Sequence, residues 1–382
     1  MIEYCKKCIY PNTKPNLVFD KKGICNACKN FSKRKKINWK TREKEFLQLI
    51  KKQRKYNKSS WDCLIPVSGG KDSFYQIIKC KEMGLKPLCV NATTCDLTNL
   101  GKKNLETMKD LNVDIINVTV SKKVRSKINK FTLETVGDIS WPEHVGIYTI
   151  PVIMAVKFGI NVLIWGENPQ NEYGGPGKTS SNKFRDLKWV EDYGGMLGLR
   201  LSDIMQFLNL DKSDLQWFKY PKNDEIKKIN LKGLFLGYYF PWNGYDNFKI
   251  AKKNGFIENK KIVEGTLYKF ENLDNYQTGI HDYFKYLKYG YSRITDHLSL
   301  FIRRGKISRN EAVKIAKRLD GKFPSKYLDK SLKEILKNID LSEKEFHEIC
   351  DKFTNTSIFK KHKNGTLIKN KNKDLIKIKY AS

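Results

Sequence analysis

The chain has 382 residues, enough for two modest domains plus a small module. Its 40% hydrophobic and 30% charged content suits a globular protein, and no apolar run is long enough to span a membrane. The formal charge of +32 invites a nucleic-acid partner, but only eleven of the 73 basic residues are arginine, and lysines are spread along the whole chain onto solvated faces; the same balance suits a nucleotide or an anionic sugar, and nucleic acid is not the expected partner. Met1-Ile2-Glu3-Tyr4-Cys5 shows no apolar targeting segment, so a cytoplasmic location with reduced thiols is expected.

Cys5-x-x-Cys8 and Cys25-x-x-Cys28 flank sixteen residues. Each pair forms a tight knuckle that aims two sulfurs at one point, and two knuckles complete a closed tetrahedron. This spacing predicts a structural Zn2+ site in a module over residues 1–35, with an iron–sulfur cluster as the alternative. Loss of the metal is expected to destabilise that module rather than the chemistry. A charged linker helix over 36–60 follows, with Phe46, Leu47 and Ile50 at helical spacing.

From Trp61 onward strands and helices alternate. Apolar runs at Cys63–Val67, Pro87–Ala92, Asp114–Val118 and Asn161–Trp165 predict a doubly wound parallel α/β sheet over 61–275, with a fifth strand in Gly233–Phe240. The first run leads into Ser68-Gly69-Gly70-Lys71-Asp72-Ser73 and then a helix. A strand that turns through two glycines into a helix start presents backbone N–H groups and the positive end of the helix dipole to an anion. It is not a Walker A loop, because Ile65 stands where the first glycine is needed and Asp72 follows Lys71. Ligands of such sheets gather beyond the strand C-termini. The loops after Val67, Ala92 and Trp165 should therefore share one cleft, where Asn91 and Gly166 join the loop residues as nucleotide-binding candidates. Two turn-rich, polar clusters stand out, Gly137–Ile147 and Trp165–Pro176. The second offers Glu167, Asn168, Glu172 and Tyr173 to Mg2+ or sugar hydroxyls. In the first, His144 beside Glu143 is a candidate acid–base pair. Beyond Leu273 the pattern is helical, at Ile280–Tyr289, Asn310–Leu319, Leu332–Ile339 and Glu343–Phe353, giving a helical region over 276–382 with a lysine-rich tail from Phe359 to Tyr380.

Ser68-Gly69-Gly70-Lys71-Asp72-Ser73 resembles the pyrophosphate loop of the PP-loop ATPases, which split ATP between the α- and β-phosphates. Together with the cysteine module, Trp141-Pro142-x-His144-Val145-Gly146, Trp165–Asn168, Glu172–Gly175, Tyr291–His297, Arg303-Arg304-Gly305 and Arg309-x-Glu311-Ala312, the chain from Cys5 to about Gly321 resembles the N-acetyl sugar amidotransferases. That family includes proteins of pseudaminic acid, legionaminic acid and O-antigen sugar biosynthesis, pathways that feed lipopolysaccharide and flagellin glycosylation. The resemblance implies adenylation of an acetamido oxygen on a sugar or nucleotide-sugar, then replacement of that oxygen by ammonia to give an acetamidino group. It implies ATP and Mg2+, a phosphate grip by Ser68 to Ser73, and catalytic roles for Lys71, Asp72, Glu167 and His144. No glutaminase nucleophile is visible, since Ile2 follows Met1 and the other cysteines lack a Gly-x-Cys-x-Gly setting. The family analogy implies a partner glutaminase, with its barrel partner. The rival is a tRNA-modifying PP-loop enzyme, such as a thiolating enzyme or a lysidine synthetase.

Overall fold

Alternating apolar runs and helical segments produce a parallel sheet with helices on both faces. The computed structural model describes residues 2–175 and 197–381. After helices α1 (Asn26–Arg34) and α2 (Trp39–Arg54) come β1 (Cys63–Val67), α3 (Lys71–Glu82), β2 (Pro87–Ala92), α4 (Asn99–Thr107), β3 (Asp114–Val118), α5 (Lys122–Val136), α6 (Trp141–Lys157), β4 (Val162–Trp165), α7 (Pro169–Tyr173) and β5 (Lys232–Phe235). The strand order is β3-β2-β1-β4-β5, and every pairing is parallel. The chain winds outward from β1 to β3, then returns to β4 beside β1. The winding reverses between β1 and β4, and a cleft at such a switch point opens at the strand C-termini. β1 pairs with β2 along its whole length but with β4 only at Leu64↔Leu163. Pro66 has no N–H to give to the ladder, which leaves the β1–β4 seam open towards the loops.

Strand side chains alternate between two cores. Leu64, Leu88, Val90 and Leu163 pack with Ile128, Trp141, Val145 and Ile150 of α5 and α6. Cys63, Ile65, Cys89 and Ile164 pack with Phe46 and Ile50 of α2 and Phe74 and Ile77 of α3. That second core continues through Tyr276, Ile280, Phe284, Leu336 and Phe346 to Phe359 and Leu375, so the C-terminal helices share the core of the sheet. Fully burying such side chains contributes ~1.5–3 kcal/mol each.

Two sequence expectations change. Residues 141–147 are the first turns of α6 rather than a turn-rich loop; Pro142 lies at its start, where a missing N–H costs no helical bond. The strand expected over Gly233–Phe240 ends at Phe235, and Leu236–Tyr239 is a helical turn. The lysine-rich tail is folded: bridges Phe359↔Lys377, Lys361↔Leu367 and Lys369↔Leu375 tie it together, and Phe359 is fully buried. Among the described residues, no helix is long and apolar enough to cross a membrane. Pro176 of the second polar cluster lies outside the described residues.

Candidate active site

The loop after β1 has the shape its glycines predict. Gly69 has φ +80°, and a Cβ there would fall 3.1 Å from Leu105 and 3.2 Å from the Gly101 carbonyl, so only glycine fits. Gly70 is the N-cap of α3, and no side chain caps that helix start. Its first N–H groups have no intrahelical acceptor and face the cleft as an anion cradle. Ser73 Oγ accepts the Ser68 N–H at 3.0 Å and closes the turn.

Lys71 is buried, its Nζ 2.9 Å from both Asp72 Oδ2 and Glu271 Oε1. Burial alone would pull its ammonium down, but Asp72 and Glu271 outweigh it and hold Lys71 above the ordinary lysine range. Asp72 Oδ1 accepts Asn247 Nδ2 at 2.8 Å. Glu167, just past β4, faces the same charges: burial first, then Asp72, raises its carboxyl to about 7. Burial also lifts Asp274, which faces the Ser68 hydroxyl. Glu271 is held below the usual carboxylate range, because Lys71 outweighs its burial. Burial pulls His297 down to about 4 despite Glu271, so it is neutral and accepts the Leu267 N–H at 3.4 Å. Lys71 thus stands among Asp72, Glu167, Glu271 and Asp274, and the charge of Arg293 also reaches Glu271 and Asp274. Glu271, Asp274 and His297 were missed from the sequence, although His297 lies in a stretch that carried the family resemblance.

Asn91, the last-but-one residue of β2, is a prop: its Nδ2 donates to the Val67 carbonyl at 2.8 Å and its Oδ1 accepts Thr93 Oγ1 at 2.9 Å. Gly166 is required by close approach, since a Cβ there would lie 3.0 Å from Trp242 and 3.2 Å from Gln76, and its carbonyl accepts the Gly237 N–H at 3.1 Å. Asn168 is buried, its carbonyl taking the Glu172 N–H at 3.2 Å. Burial first, then the charges of Glu167 and Glu271, push the Tyr173 phenol up. Glu172 differs from expectation. Its carboxylate is paired with Arg34 of α1, and its carbonyl accepts Arg303 Nη2 at 3.0 Å.

His144 and Glu143 do not form a pair. Neighbours on a helix point about 100° apart. Glu143 is buried against Arg125 Nη2 at 2.8 Å, Asn129 Nδ2 at 3.0 Å and the Cys95 N–H at 3.2 Å, tying the end of β2 to α5 and α6. His144 turns instead to Asp138, which also meets His281 Nδ1 at 2.8 Å; the two imidazoles pack edge-on at 5.0 Å. Burial opposes charge on His144, yet Asp138 raises its pKa above the ordinary histidine value.

At the N-terminus, one sulfur from each of Cys5, Cys8, Cys25 and Cys28 lies within 4.8 Å of the others, and all four residues are buried. Four converging thiols are the donor set of a closed Zn2+ site. Arg309 ties the two knuckle carbonyls, Cys8 at 3.1 Å and Cys5 at 3.2 Å.

Comparison with known proteins gives one family match. Residues 264–373 match the family described as LPS biosynthesis protein WbpG-like, C-terminal domain. The likeness is confined to this C-terminal stretch, less than half of the chain. The match takes in Tyr291–His297 and Arg303–Ala312 and bears out the family resemblance carried by those motifs. The matched segment also contains Glu271, Asp274 and His297, which surround the loop. No curated protein matches the chain. Similar solved structures include an NMN synthetase from Francisella tularensis, with 11% identity, covering 59% of this chain and 99% of that one at a TM-score of 0.28. Another is an NH3-dependent NAD synthetase from Campylobacter jejuni subsp. jejuni NCTC 11168 in complex with the nitrate ion, with 16% identity, covering 57% of this chain and 93% of that one at a TM-score of 0.30.

Proposed function

We propose that the protein is an ATP-dependent amidotransferase that converts an acetamido group of a sugar into an acetamidino group for surface-glycan biosynthesis. The observation that carries this reading is the meeting of the Ser68–Ser73 loop with Glu167 at the β1–β4 switch point, in a chain with a WbpG-like C-terminal domain. The loop N–H groups and Lys71 hold the β- and γ-phosphates as they leave. The acetamido oxygen attacks the α-phosphorus, forming an O–P bond as the bond to pyrophosphate breaks. Ammonia then forms a C–N bond to the imidate carbon, and the C–O electron pair leaves with AMP. Three of the four N–H protons remain on the amidinium; the fourth passes to Glu167, whose raised pKa suits a base near neutral pH. Asp72 would hold a Mg2+ ion, which would supply charge neutralisation at the phosphates and leave Glu167 to accept the proton. Tyr173 and Asn168 line the sugar side, and Glu172 holds their loop in place. Ammonia comes from a partner glutaminase, and the use of ATP assigns the reaction to the cytoplasm. The test is pyrophosphate release by the purified chain with ATP, Mg2+, ammonium and a 2,4-diacetamido sugar or its nucleotide-linked form. Release that depends on the sugar supports the reading; release triggered by tRNA and not by any acetamido sugar would contradict it.

A further inference from the structure

The cysteine module lies against the loop that follows β4. Gly174 has φ +96°, and a Cβ there would sit 3.0 Å from Ala27 and Leu17 and 3.1 Å from Asn26 Oδ1. Asn26 Nδ2, one residue after Cys25, donates to the Gly175 carbonyl at 2.9 Å. At the other end of α1, Arg34 forms a buried ion pair with Glu172. Arg303 spans the gap. Its Nη2 takes the Glu172 carbonyl at 3.0 Å, its guanidinium lies over the Tyr10 ring at 5.4 Å, and it faces Cys8, Cys25 and Cys28. Among the described residues, Arg303 Nε and Nη1 are buried with no hydrogen-bond partner. A guanidinium left so in a protein interior is costly unless negative charge stands near it. Four thiolates around a divalent ion carry two net negative charges, and that charge is the counterpart Arg303 lacks.

We propose that the metal-bound cysteine module is a clamp that positions Glu167 to Gly175, with Arg34 and Arg303 as its positioning residues. The metal-thiolate charge holds Arg303 on the Glu172 backbone. The folded knuckle at Cys25–Cys28 sets α1, and α1 carries Arg34 to the Glu172 carboxylate. The loop's register then fixes where Glu167 and Tyr173 stand relative to Lys71. A module of this kind couples metal occupancy to the geometry of the cleft, although the metal has no open coordination position.

The test is hydrogen–deuterium exchange of the full chain, read over the peptide that contains Glu167 to Gly175, which needs neither substrate nor turnover. Three samples are compared: the metal-loaded protein, the same protein stripped by chelator under reducing conditions, and Arg34→Gln with its metal content measured. The expected result is faster exchange of that peptide in the stripped protein and in Arg34→Gln at full metal content, with partial restoration in Arg34→Lys. Native exchange of the peptide in either the stripped chain or fully loaded Arg34→Gln would overturn the proposal. Resting on the proposed function only for this arm, kcat of Arg34→Gln should fall by about tenfold or more with the KM for ATP unchanged. A parallel loss of ATP affinity would mean that Arg34 acts on the nucleotide site instead. Absence of amidotransferase activity in the wild-type chain would fault the functional reading alone, because the exchange result stands without it.

Discussion

Lys71 and Glu167 show how local charge sets the chemistry of the cleft. Lys71 is neutralised twice, by Asp72 and Glu271, while Glu167 faces Asp72 without a cation of its own at ion-pair distance among the described residues. The Glu167 carboxyl is raised from 4.5 to about 7, so the folded chain keeps a proton that the unfolded chain gives up. Its contribution to stability is therefore present below pH 4.5 and lost as pH rises through about 7. Turnover has the opposite sign if Glu167 accepts a proton: it should climb through pH near 7, and Glu167→Gln should cut kcat by at least about tenfold and flatten that limb of the pH–rate profile. A profile that keeps its rising limb in Glu167→Gln would assign the base elsewhere. Gly70 gives a second expectation. It has φ −77°, and only Ser68 Oγ lies near the position of an added Cβ, at 3.3 Å, so Gly70→Val should fold normally, as circular dichroism would report, yet lose pyrophosphate release. Ser68 to Ser73 were legible because six contiguous residues form the cradle. Glu271 and Asp274 were not, because they arrive from a distant segment and no local spacing marks a carboxylate that folds back onto a loop.

Whole elements were legible where one physical signal dominated. The strands Cys63–Val67, Pro87–Ala92 and Asp114–Val118 have the bounds their apolar runs predict, and Glu343–Phe353 has the bounds of its helical periodicity. Signals in conflict misled. Pro142 and Gly146 marked a turn, but the start of a helix accepts proline, and Gly146 meets only ordinary contacts from Ile150 and Phe218. The contact between α1 and the β4 loop had no sequence signature, because Gly174 and Asn26 are ordinary turn residues until they touch. The cysteine module should bind about one zinc per chain, and Cys25→Ser should lose it, as measured by elemental analysis; the absorbance of an iron–sulfur cluster in protein purified without oxygen would contradict the zinc assignment. The folded tail gives a stability expectation of its own. Phe359 is fully buried in the core shared by the sheet and the C-terminal helices, so Phe359→Ala should cost about 3–5 kcal/mol in urea unfolding. A tail that were a free basic arm would lose nothing.

At the scale of the molecule, Glu271 and Asp274 of the C-terminal segment meet the Ser68–Ser73 loop, with the sheet between two cores and the cysteine module beside the loop that follows β4. Under the proposed function, ATP binds at the switch point and ammonia is delivered from outside. The isolated chain should therefore work with high ammonium and fail with glutamine, and a glutaminase partner should restore glutamine use; glutamine hydrolysis by the chain alone would contradict this. The general class was legible because the phosphate loop and strand alternation are local patterns, whereas the choice of sugar depends on side chains gathered from several elements. The most direct measurement is the mass of the sugar after incubation of the purified chain with ATP, Mg2+, ammonium and a diacetamido sugar, free or nucleotide-linked. The expected product is lighter by the difference between O and NH, takes up 15N from labelled ammonium, and forms in step with AMP. An unchanged sugar alongside ATP-dependent modification of tRNA would contradict the account.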